Sequence, residues 1–382
     1  MRWAAGFLIA CMHCVGDDSV ANDAGSDAIA SDASVDAPSS DAKSDVVVVD
    51  AGCTADTQND KKNCGTCGHD CVGGQCSAGV CQVATLVAGQ AAISAIAPTQ
   101  TKLYWSRGAT TTQHGGIFSS DLDGQNLAML YDGNSSYCMG LQVTSNATYF
   151  DCGNEIYKCA LPSCSQTPTP LLAMSGVAAT ALDATNQALY FSVGTPYNQQ
   201  TGGFVASMPL SGTGSYTRLV TADQPSPNSL LIANGVVYWL DSGTYTNDNI
   251  TGNGGVRSAP LGTNQIFADL VNDKTAIDYT GLALSGSTIY YGIGSGNAIH
   301  SVATIGGSFS TYTTSTTNEI LVLIADANAL YWADNSKIEK CALGSCTTPQ
   351  TFASGQNPSV MAQDTASVWW ANGGGEIRRL AK

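Results

Sequence analysis

The chain has 382 residues, a formal net charge of −15, only 12% charged residues, 41 Gly and 14 Cys. With so few cations and no basic patch it is not built to neutralise phosphates, so nucleic acid is not an expected partner. Fourteen cysteines do not suit a reducing compartment unless they bind metal.

In chain order, the first segment pairs Arg2 with a short apolar run, Trp3–Ala10. This is the n-region and h-region pattern of a signal peptide, here residues 1–10. The string Leu8-Ile9-Ala10-Cys11 resembles a bacterial lipobox. The resemblance implies that Cys11 is lipidated, becomes the mature N-terminus and anchors the protein to a membrane, with Met12 after it favouring the outer membrane or cell surface. Residues 15–52 hold nine Asp, one Lys and no aromatic residue. Such a segment cannot bury a core and repels itself, so residues 11–52 are expected to be an acidic, disordered tether.

A cysteine-rich module follows at residues 53–82. It holds Cys53, Cys64, Cys67, Cys71, Cys76 and Cys81. A c-type haem site would need His directly after Cys67, where Gly68 stands. Zinc could use Cys64, Cys67, Cys71 and Cys76. Disulfides use all six sulfurs and replace the core that so short a segment lacks, so they are the favoured reading; spacing leaves their connectivity open. The run Asn63-Cys64-Gly65-Thr66-Cys67-Gly68-His69-Asp70-Cys71 with Gly74-Gln75-Cys76 and Gly79-Val80-Cys81 resembles the Stig1-like cysteine module of secreted proteins.

Beyond Val83 one pattern recurs every 38 to 52 residues, the period of a four-stranded propeller blade. Its anchor is an apolar residue and two aromatics: Leu103-Tyr104-Trp105, Leu189-Tyr190-Phe191, Val237-Tyr238-Trp239, Ile289-Tyr290-Tyr291, Leu330-Tyr331-Trp332 and Val368-Trp369-Trp370, with Thr148-Tyr149-Phe150 as a weaker copy. Strand alternation puts successive side chains on opposite faces, and both faces are apolar, as a blade pressed between two neighbours requires. Each unit reads as an inner strand a, the anchor as strand b, a strand c such as Ile338–Ala342, and an outer strand d. The fold expected is all-β, a seven-bladed β-propeller of four-stranded blades over residues 83–382.

The ends sharpen this. The last unit stops after strand c, whereas Thr85-Leu86-Val87-Ala88-Gly89-Gln90 stands alone and matches the strand d of Thr351-Phe352-Ala353-Ser354-Gly355-Gln356. Residues 83–89 are therefore expected to complete the last blade and close the ring, which removes two exposed sheet edges. The first unit, Leu103-Tyr104-Trp105-Ser106 with Ile117-Phe118-Ser119-Ser120-Asp121-Leu122-Asp123-Gly124, resembles the YWTD-type propeller repeat of lipoprotein-receptor ectodomains. Six cysteines lie within blades. Cys159 with Cys164 and Cys341 with Cys346 span near-identical c–d turns, and Cys138 with Cys152 encloses the a–b turn of blade two, so each pair is expected to be a local disulfide.

No G-x-S-x-G, H-E-x-x-H or Walker sequence is present, and none of His13, His69, His114 and His300 has a second His at ligand spacing. No cofactor and no metal site is expected. Three b–c loops are long, in blades one, three and four, and they must emerge on one face. They carry Gln113, His114, Tyr197, Asn198, Gln199, Tyr245, Asn247 and Asp248. Aromatics with amides suit a glycan or a protein ligand, so His114, Tyr197, Asn198, Tyr245 and Asp248 form the candidate binding set. The expected function is an envelope-anchored, extracytoplasmic binding or scaffold protein. A propeller hydrolase or lyase with a central-channel metal and a purely structural surface protein are the alternatives.

Overall fold

The computed structural model describes residues 54–382 apart from 163, 165–166, 195–201, 213, 247–248, 252–253, 273–278, 294–297, 315–317 and 345. The signal segment, Cys11, the tether and Cys53 lie outside the described residues. Seven four-stranded antiparallel sheets follow one another around a ring. Blade one runs from Ile93–Pro98 through Lys102–Arg107 and Gly115–Asp121 to Ala128–Asn134. The turns obey local chemistry. Asn234 and Gly235 both take positive φ in the a–b turn of blade four, and the Asp326 carboxylate accepts the Asn328 and Ala329 backbone N–H groups in that of blade six.

Closure occurs as the sequence implies. Ala84–Val87 is the outer strand of blade seven and pairs with Ile377–Ala381, which continues through Ser367–Asn372 to Pro358–Gln363. The inner strands touch in succession, and the last, Pro358–Gln363, packs on the first, Ile93–Pro98. Lys382 ends the chain where a c–d turn would begin. Its ammonium reaches Asp326 of blade six at 2.9 Å and the Asp364 carbonyl of blade seven at 2.7 Å.

The core is a ring of clusters between blades, and the anchors build it by alternation. Tyr104 points into the seam with blade two, while Trp105 points back toward blade seven. Tyr149 and Phe150, Tyr190 and Phe191, Tyr238 and Trp239, and Tyr290 and Tyr291 divide in the same sense. Tyr331 and Trp332 follow them, and all seven pairs are buried. In these six pairs the first aromatic thus serves the next blade and the second serves the previous one, while Trp369 and Trp370 both lie in the closing cluster. The Tyr190, Tyr238 and Tyr290 hydroxyls reach Gly262, Thr304 and Gly344 in the c–d turns of the following blades, and burial raises the pKa of all three.

The cysteine module has a different interior. Cys64 pairs with Cys76 and Cys71 with Cys81, and Cys67 is also disulfide-bonded. Its buried cluster is Cys64, Cys71 and Cys76, with Cys81 packed against it. The zinc alternative meets those sulfurs already committed to S–S bonds. All three blade pairs form: Cys138–Cys152, Cys159–Cys164 and Cys341–Cys346.

Candidate binding face

Strand alternation sends every b–c loop and every d–a link to one end of the ring. Blade one shows how that end is built. The Arg107 guanidinium lies 4.3 Å over the Phe118 ring, donates from Nε to the His114 carbonyl at 2.8 Å, and donates from Nη1 to Gln90 Oε1 at 2.8 Å. Gln113 donates from Nε2 to the Gly89 carbonyl at 2.8 Å and accepts the Ala91 N–H at 3.0 Å. Thr110 Oγ1 accepts the Gln113 N–H. The loop is therefore tied to the closing strand of blade seven. Gln113 belongs to that tie.

The loop leaves His114 exposed, together with Thr111 and Thr112. The His114 Nδ1 is 3.0 Å from Asp132 Oδ1 on strand d of the same blade, Ala128–Asn134. The Asp132 carboxyl is held below its usual pKa, first by the Asn134 backbone N–H and then by His114. In the d–a link after Asn134, Tyr137 is 47% exposed and its ring packs against Gly108. A Cβ at Gly108 would stand 2.1 Å from the Tyr137 ring, so only glycine admits this seat. Gly108 and Tyr137 form a β-bridge, and the Ala109 N–H donates to the Ser136 carbonyl. Asp132 lies on strand d and Tyr137 in a short d–a link, neither of which stands out by length, and the contact of Gly108 in the long b–c loop with Tyr137 has no local sign in the sequence.

The blade-four loop is also rooted. Asp241 is fully buried; its Oδ2 is 2.6 Å from Arg257 Nη1, and Oδ1 accepts the Ser226 and Gly243 N–H groups. Arg257 also donates to Asp269 and to Gln224. Thr244–Thr246 pairs with Asn249–Thr251 as a small hairpin, with Tyr245 opposite Ile250. The long b–c loop of blade four thus contains a hairpin of its own. Tyr197, Asn198, Gln199, Asn247 and Asp248 lie outside the described residues, as does the side chain of Tyr245. Of the sequence-derived set, the structure thus places His114 in a defined setting.

The inner strands carry a bulge near their starts in blades one to five and seven. Ser94, Gly140, Ala178, Gly281 and Ser359 occupy bulge positions.

No family model and no curated protein matches the chain. Among solved structures it is similar to a catalytically inactive virginiamycin B lyase from Staphylococcus aureus with quinupristin, with a TM-score of 0.60 and 15% identity over 79% of this chain and 98% of that one. It is also similar to the extracellular domain of a B. thetaiotaomicron chain described as a hybrid two-component system (0.59, 14%, 78% of this chain and 39% of that one). The computationally designed Ika8 protein gives 0.55 and 14%, over 78% of this chain and 99% of that one. At these identities the likeness shows the fold, and the class is a seven-bladed β-propeller carrying a disulfide-rich module.

Proposed function

We propose that this chain is an exported binding protein, tethered to a membrane through Cys11, that presents the b–c and d–a face of its propeller to a glycan. The observation that carries this reading is the platform at the junction of blades one and two: Tyr137 seated on Gly108, together with the His114–Asp132 pair. An aromatic face stacks on the apolar face of a sugar, while imidazole and carboxylate bond its hydroxyls. Arg107 and Gln113 fix the loop in advance, so little ordering entropy opposes binding. Disulfides in both parts of the chain suit an oxidising compartment.

The test has two arms. Metabolic labelling with a fatty-acid analogue should mark the full chain and fail for Cys11→Ser; an unlabelled wild type sinks the anchor. On a glycan array the purified protein should bind a defined glycan class, and Tyr137→Ala should weaken that binding by about 10–100-fold. Its melting temperature should stay near that of the wild type. Binding that survives Tyr137→Ala, or an array with no bound glycan, contradicts the site. A bound glycan that is cleaved would instead support the hydrolase or lyase alternative.

A further inference from the structure

Asp151 is a carboxylate where the other blades carry none. It follows the aromatic pair on strand b of blade two, Ala147–Cys152. The matching residues elsewhere are Ser106, Ser192, Leu240, Gly292, Ala333 and Ala371, all uncharged. In blade one this position is a neutral hydrogen bond, Ser94 Oγ to Ser106 Oγ at 2.8 Å, and Ser94 also donates across the seam to the Cys138 carbonyl at 2.6 Å. In blade two the bulge falls one register step later and its residue is Gly140. A Cβ there would lie 2.4 Å from Asp151 Oδ1 and 3.1 Å from Thr180 Oγ1 of blade three. The carboxyl fills the space that the missing side chain leaves, and it is almost wholly buried.

Among the described residues no ion pair to Asp151 is seen. On strand a of blade two, Gln142 donates from Nε2 to the Thr180 carbonyl at 2.9 Å and to its hydroxyl at 3.3 Å. On strand c, Ile156 lies opposite Asp151. Glu155 and Tyr157, in register with Cys152 and Phe150, share the other face, and the hydroxyl of Tyr157 bonds Glu155. The charged group on the Asp151 face is Lys158, in register with Tyr149; its ammonium is directed to the Leu210 carbonyl at 3.2 Å. Tyr149 is the other titratable group on this face. On strand a of blade three, Asp183 is oriented toward the side of Tyr190 and blade four and bonds Asn186.

We propose that Asp151 is a proton-controlled wedge in the seam between blades two and three: neutral it fits against Gly140 and Thr180, and ionised it loosens the inner strand of blade three. A buried carboxylate without a cation is costly to ionise. Burial pushes the Asp151 pKa up to about 7, and the only opposing contribution is a hydrogen bond from its own backbone N–H. A folded-state pKa above the unfolded value means that the folded state holds the extra proton. The stabilisation from this group is therefore fully present below about pH 4 and is lost as pH rises through about 7.

The direct test on the intact protein is a carboxyl 13C titration of Asp151, expected to show a midpoint near 7 and no titration in Asp151→Asn. Hydrogen exchange in Val177–Asp183, corrected for the intrinsic pH dependence, should accelerate above pH 7 in the wild type and not in Asp151→Asn, an uncharged residue of nearly the same shape. The wild-type melting temperature should fall by a few degrees relative to Asp151→Asn between pH 5 and pH 8. A midpoint below 5, or exchange in Val177–Asp183 that responds to pH identically in both proteins, overturns the proposal.

Discussion

In residues 54–82 the buried surface is sulfur: Cys64, Cys71 and Cys76 form the cluster, and the backbone around them is a series of Asx-type turns at Asp56, Asp60 and Asp70. In residues 83–382 the buried surface is aromatic and branched aliphatic, shared between blades at every seam. Thirty residues cannot bury enough apolar area to offset the entropy of ordering them, so covalent links hold the shape. A blade has the opposite problem, because its two faces are apolar and neither is satisfied until a neighbour arrives. The module is thus stable by bonds within itself and the propeller by contacts between its parts. The two meet where Cys81 and Val83 pack on the cluster of blades six, seven and one, and where Gly73 lies against the Arg379 guanidinium.

The largest effect expected from breaking this comparison is reduction. Under native conditions with excess thiol, amides of residues 54–82 should lose all exchange protection, while the anchor strands keep theirs. Loss of protection in both regions together would mean that the propeller also depends on its sulfurs. A smaller, local contrast lies within blade six. Trp332→Ala removes a fully buried ring from the seam with blade five and should cost about 3–5 kcal/mol in denaturant unfolding. Replacing Cys341 and Cys346 with Ser opens a short loop and should cost about 2 kcal/mol. The reverse ranking would contradict the account of how blades are held.

The ring was legible in the sequence because each anchor states both of its packing partners: Tyr238 and Trp239 are adjacent in the chain and serve opposite seams. The orphan strand was legible for the same reason, since Ala84–Val87 had a repeat to match. The site was less so. His114 stood out on a long loop, but its partner Asp132 sits on strand d, eighteen residues away. The tie made by Gln113 has no local sign, because Gly89 and Ala91 are more than twenty residues away. The depth of Asp151 was invisible because it depends on Gly140 and Thr180, one a missing side chain and the other in the next blade. Packing that repeats is written into the period; contacts made once are not.

The central claim is that the chain closes its own ring with residues 84–87, and it is tested most directly by two truncations. A chain beginning at Val83 retains the outer strand of blade seven; a chain beginning at Ala91 lacks it and also removes Gln90, the partner of Arg107. Removing that strand exposes the edge of Ile377–Ala381 and uncovers Val87's place in the closing cluster. The account predicts that the longer chain unfolds cooperatively and that the shorter one is less stable by several kcal/mol, a large part of the stability of an ordinary domain. Equal melting temperatures for the two would contradict closure by this strand.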